Sequence, residues 1–324
     1  MDPALVKQLL LGSVPPLVLG VIVFGLIWRA RSRDLVTRAL GDAASRDERQ
    51  QCGDHVSDQG SRRWHDVVLV LCVAAAFLGV YPIVFGKVQA WPGLSGDGAM
   101  FWVGVIAVAA GIAACIVPRR HAVWGVVAPA LAVCCWLSFR RQWFGDNFSE
   151  STWLIAGFLG VGILLTSGLM MLGWMGRIAG VWSGVLAVGL CAQVLVVCLA
   201  SLKHGQGAGA MASLLTFAMF MVLLRPTRAL GGPTMITVGL ILTTQLMQAA
   251  HFGRGELPFF MVGLASIGPL LGAIGLCLTS RRRGLASVLI PIFATVLPGL
   301  AAVGTGAYLS LQADKASGAA DYEY

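Results

Sequence analysis

Charge is what this sequence has least of. Asp, Glu, Lys and Arg make up 12% of its 324 residues, about half the share that a soluble domain carries. Mean hydropathy is +0.80, and a water-soluble globular domain is excluded on these grounds. Acid is scarcer still. All fifteen Asp and Glu residues fall in polar connections, tails or the edges of apolar runs, and none lies near the middle of one. Buried carboxylates are the usual proton and sodium carriers of coupled pumps, so their absence argues against carboxylate-based proton coupling. Paired cysteine motifs are missing too. The eight cysteines form no Cys-x-x-Cys and no Cys-x-x-Cys-His, which removes thioredoxin-like redox chemistry and c-type haem attachment. Cys52 and His55 share a polar loop, but no second pair completes a metal site. Gly180 to Gly184 reads Gly-x-x-Ser-Gly, one residue longer before Ser183 than the motif of intramembrane serine proteases. No catalytic constellation is found, so the chain reads as a non-enzyme with no metal and no cofactor.

What is present is ten apolar stretches, each about long enough to cross a bilayer. Inside hydrocarbon each backbone polar group needs an internal partner, which restricts such stretches to helices. The expected fold is all-α, a polytopic integral membrane helical bundle of about ten transmembrane helices. The spans read Gln8–Trp28, Val67–Phe85, Ala99–Val117, Ala122–Phe139, Trp153–Met175, Ile178–Leu202, Ala208–Leu224, Thr234–His251, Leu257–Thr279 and Leu285–Leu309. They form a single transmembrane domain over residues 1–311, interrupted by a polar loop at 29–66. Within that loop Ser45–Arg63 is charged and poor in apolar residues, and reads as unstructured. A short acidic tail at 312–324 is expected to be disordered.

Orientation follows from the basic residues. Placing the loops after spans 1, 3, 5, 7 and 9 in the cytoplasm puts sixteen of the 23 Lys and Arg residues there and seven outside. This asymmetry predicts both termini outside. It also accounts for the net charge of +8 without nucleic acid. The Arg-over-Lys, Gly- and Ala-rich composition points to a bacterial inner membrane.

The polar residues inside spans mark where chemistry would sit. At 100° per residue, Thr234, Thr237, Thr244, Gln245, Gln248 and His251 of the eighth span fall within an arc of about 120°. Facing lipid, these groups would go unsatisfied, so the arc must face protein or a wet cavity. Ser183, Gln193, Ser201 and His204 of the sixth span share a second arc. Gln193, Thr244, Gln245, Gln248 and His251 are therefore the candidate solute-lining residues. The competing reading of the same stripe is interhelical hydrogen bonding. His204 and His251 are expected at the outer end of the bundle, His65 and His121 at the inner end. An expected outer loop carries Arg140 and Arg141 beside aromatics and is a candidate anion contact. Gly180–Gly184 and Gly268–Gly272 are Gly-x-x-x-Gly pairs suited to close helix approach, within the chain, with itself or with other membrane proteins. Besides the lipid bilayer, the expected partners are such proteins and a small polar solute.

Two functions fit. One is a carrier or channel for a small polar or anionic solute; the alternative is a non-catalytic scaffold or accessory subunit packed against other membrane proteins. The topology can be tested first. Thiol labelling in intact cells is expected to leave Cys52 protected from impermeant reagents and to reach a cysteine placed after Leu311. Labelling of Cys52 from outside contradicts the assigned orientation.

Overall fold

The computed structural model describes residues 54–85, 96–117, 120–143, 148–175, 178–224, 231–252, 257–280 and 284–320. The first expected span, Gln8–Trp28, and Cys52 lie outside them. Among the described residues every regular element is a helix: α1 (Asp54–Val84), α2 (Gly96–Ile116), α3 (Trp124–Trp143), α4 (Phe148–Met175) and α5 (Ile178–Gln193). They continue with α6 (Leu202–Leu224), α7 (Gly232–Phe252), α8 (Pro258–Leu278) and α9 (Ala286–Ala320). A 3₁₀ turn, Arg120–Val123, leads into α3, and a π turn, Val194–Cys198, extends α5. These nine helices correspond to the second to tenth expected spans. Seven carry an apolar stretch long enough to cross a membrane, which is compatible with an integral membrane protein. The apolar part of α3 is the shorter stretch Trp124–Arg140. That of α6 is broken at its start by Lys203, His204 and Gln206.

Three boundaries correct the sequence reading. Helix α1 starts at Asp54, so residues 54–63 of the supposedly unstructured loop are helical. Helix α9 runs on to Ala320, through most of the expected tail. Both extensions are polar but hold no proline, and backbone hydrogen bonding propagates one residue at a time once a helix exists. The third correction is at the sixth span, which ends in the π turn, while α6 starts at Leu202, six residues before the expected Ala208.

Helix α7 occupies the centre. Every residue from Gly232 to Ala250 is buried, enclosed by α1, α2, α3, α4, α5, α6 and α8, with α9 packed outside against α8 and α5. The perimeter is apolar: Phe259, Ile274 and Leu278 of α8 and Phe293, Leu297 and Leu300 of α9 are exposed. An outer surface of this kind suits hydrocarbon.

So tight an enclosure requires small residues facing α7. A Cβ at Gly111 of α2 would fall on the Thr237 hydroxyl, and one at Gly184 of α5 would come within 2.6 Å of Met235 Cε. Gly173 of α4 lets the chain at Gly231 approach, its would-be Cβ 2.9 Å from the Gly231 carbonyl oxygen. The backbones come closer than any side chain would allow, which strengthens dispersion contacts where burial of apolar surface from water cannot drive packing.

Gly111→Val is expected to destabilise the protein by about 1–3 kcal/mol through overpacking. Gly160→Ala, where a Cβ meets nothing within 4 Å, is expected to be neutral or mildly stabilising through helix propensity. Thermal denaturation in detergent reads both, and equal tolerance at the two glycines contradicts the central position of α7.

Candidate functional site at the α1–α6–α7 junction

The site begins with the joint between α5 and α6. Widening of the last turn of α5 into a π turn is marked by the bond from Leu199 N to Val194 O (3.1 Å), and a six-residue bond from Ser201 N to Leu195 O (2.9 Å) closes the helix end. Ala200 then takes a left-handed conformation at φ +47°, an uncommon state for a residue with a side chain. The Cys198 thiol donates to the Ala302 carbonyl at 3.3 Å, tying the joint to α9. The chain reverses within three residues, so Ser201 and His204 enter the bundle at the start of α6.

His204 is buried and joins two helices. Its Nε2 lies 3.2 Å from Gln248 Oε1, and its Nδ1 lies 2.7 Å from Ser201 Oγ. A carboxamide oxygen only accepts, so Nε2 carries a hydrogen, and Nδ1 shares one with the Ser201 hydroxyl. Phe85 of the α1 end stands edge-on to His204 at 5.4 Å, and Tyr81 stacks on Phe85 at 5.1 Å.

One turn back along α7, Gln245 is fully buried, and neither Nε2 nor Oε1 has a hydrogen-bond partner. Its amide nitrogen is pressed against Gly207 of α6, where a Cβ would stand 2.5 Å from it and 3.3 Å from the Phe77 ring of α1. The carboxamide thus lies where three helices meet. Thr237 differs: its hydroxyl is shared between Ala107 O of α2 at 3.2 Å and Pro233 O at 3.3 Å. Thr243 and Thr244 donate to the carbonyls of Gly239 (2.7 Å) and Leu240 (3.0 Å), the standard way of hiding a hydroxyl inside an apolar helix.

Of the residues expected to line a solute path, the structure brings Gln245 and Gln248 together with His204. Thr244 is buried and bonded to its own helix. Gln193 is exposed on α5, away from the junction: the π turn and the break at Ala200 end the continuous arc that the sequence implied. His251 lies edge-on to Phe139 at 5.7 Å and Phe252 at 4.6 Å, one turn along α7 from the Gln248 that bonds His204. Arg140 belongs to helix α3, not to a loop, and its guanidinium lies 5.8 Å from the centre of the Trp136 ring. The side chains of Arg141, His65 and His121 lie outside the described residues.

Both Gly-x-x-x-Gly pairs are occupied within the chain. Gly180 abuts the Leu172 carbonyl, Gly184 abuts Met235, and Gly268 and Gly272 take the Thr295 segment of α9. Sequence reasoning missed Asp66 and Trp174 at the opposite end of α7, whose side chains crowd Gly231 and Gly232. It also missed the α1 aromatics. A usable signal was the run of glycines Gly205, Gly207 and Gly209 beside His204 and Gln206, which lets α6 approach the end of α5 at Gly205 and α1 and α7 at Gly207. No group of three or more His, Cys, Asp or Glu among the described residues is placed to hold a metal.

Fold and junction together define a class, a helical bundle compatible with membrane insertion and cross-linked by buried neutral polar side chains. The class is as far as similarity extends: no protein-family model, curated protein or solved structure matches the chain.

The two glutamines are expected to respond in opposite directions. Gln248→Leu removes the acceptor 3.2 Å from His204 Nε2 and should cost about 1–2 kcal/mol. Gln245→Leu removes a buried carboxamide with no partner and should raise Tm or leave it unchanged. Thermal denaturation of both variants checks this, and destabilisation by Gln245→Leu equal to that by Gln248→Leu contradicts it.

Proposed function

We propose that the protein is a polytopic membrane protein of about ten spans that carries or conducts a small polar solute past the α1–α6–α7 junction. Both termini face outward from a bacterial inner membrane, and no carboxylate takes part in coupling. One observation carries this reading: Gln245, fully buried with both ends of its side chain unpartnered. A carboxamide so placed costs stability, and a functional contact is the reason to keep it. His204, Gln248 and Ser201 supply a second polar station one turn away. The short joint at Ala200 is a place where α6 can shift against α5 without breaking a helix.

The alternative, a non-catalytic scaffold or accessory subunit, is supported by the exposed α8–α9 face with Phe259, Phe293 and Leu297. It draws nothing from the glycine pairs, which the chain fills itself. The carrier reading is favoured because a scaffold has no use for Gln245.

Cysteine accessibility tests the choice. With the eight native cysteines changed to alanine, Gln245→Cys should react with a small water-soluble thiol reagent in membranes, and Leu246→Cys, on another face of α7, should not. Inertness at both positions leaves the scaffold reading in front.

A further inference from the structure

Resting on that reading, we infer that the solute recognised at Gln245 is a small uncharged molecule carrying a hydrogen-bond donor and an acceptor on neighbouring atoms, of the urea and primary amide class. Three features define the class. Gln245 offers an N–H donor and a carbonyl acceptor side by side, both unpartnered and both buried. A molecule with the same pair in reverse satisfies both in one planar, two-point contact. The second feature is charge. The buried polar residues are Ser, Thr, Gln and one histidine, with no Lys, Arg, Asp or Glu among the described ones. That histidine is bonded to two uncharged groups, the Ser201 hydroxyl at Nδ1 and the Gln248 carbonyl at Nε2. An ion entering here would lose its hydration against no opposite charge, which is prohibitive in an apolar bundle.

The third feature is size and shape. Gly207 and the Phe77 ring flank the carboxamide so closely that a methyl group has no room, so α6 must shift to admit a solute and the smallest, flattest group needs the least movement. Beyond it, Gln248 and His204 provide the next hydrogen-bonding pair, and the Phe85 and Tyr81 rings close the α1 side. A neutral amide passing from one pair to the next exchanges like for like at each step. The sequence alone allowed an anionic solute; among the described residues no buried cation stands at the junction for one.

The experiment uses the full-length protein reconstituted in phosphatidylcholine and phosphatidylglycerol vesicles, with light scattering after mixing into urea, acetamide, sodium chloride or sodium nitrate. Urea and acetamide are expected to equilibrate faster than in protein-free vesicles, while the two salts are not. Gln245→Leu should slow the amides by roughly tenfold, the loss of two neutral hydrogen bonds, without lowering Tm. Gly207→Ala, which pushes a methyl group against the same carboxamide, should slow them as well and serves where Gln245→Leu does not accumulate. Accelerated chloride or nitrate entry that Gln245→Leu abolishes, with amides unchanged, overturns the neutral class but keeps the solute site. Accelerated water flow with neither amides nor salts overturns the amide class in favour of water. No acceleration of water, amides or salts overturns the solute-path reading itself.

Discussion

A helix enclosed on every side must find partners for its polar groups inside the chain, and α7 is that helix. Gly232 to Ala250 are all buried, yet the segment carries four threonines and two glutamines. Lipid offers them nothing, and all but Thr234 and Gln245 find partners inside the chain. The threonines turn to carbonyls of their own helix or of α2, with Thr234 left unpaired. Gln248 reaches across to His204. Each solution fixes a neighbour: α2 by the Thr237 bond and the bare Gly111, α6 by His204 and Gly207.

The two ends of α7 are held by different chemistry. At its start, Gly231 and Gly232 leave room for Asp66 of α1 and Trp174 of α4. A carboxylate near the first turn of a helix is favoured by the exposed N–H groups and the helix dipole. At its other end the contacts are neutral hydrogen bonds and aromatic edges, with His251, Phe139 and Phe252 packed together.

Helix content and most span positions were legible because apolar run length is a strong signal. The polar stripe of α7 was legible for the same reason, since 100° periodicity puts its members on one arc. Its surroundings were not. Periodicity cannot say that a helix is buried on its apolar faces as well, and so it cannot separate Thr244, which hides its hydroxyl in its own backbone, from Gln245, which does not. The π turn was invisible because Val194–Cys198 is as apolar as the helix before it; missing it joined Gln193 to His204 on one face and placed His204 at the end of the wrong helix. The glycine pairs were read correctly as close-approach seams, but only three-dimensional placement shows that the chain fills them itself.

The central claim is that hydrogen bonding between α6 and α7 at His204 and Gln248 holds the bundle together around α7. A double-mutant cycle with His204→Phe and Gln248→Leu, read as unfolding free energy in detergent, tests it most directly. The account predicts a coupling of about 1 kcal/mol, the double variant losing less than the two single variants together. Losses that add within about 0.3 kcal/mol would contradict it, because residues that share no interaction are additive.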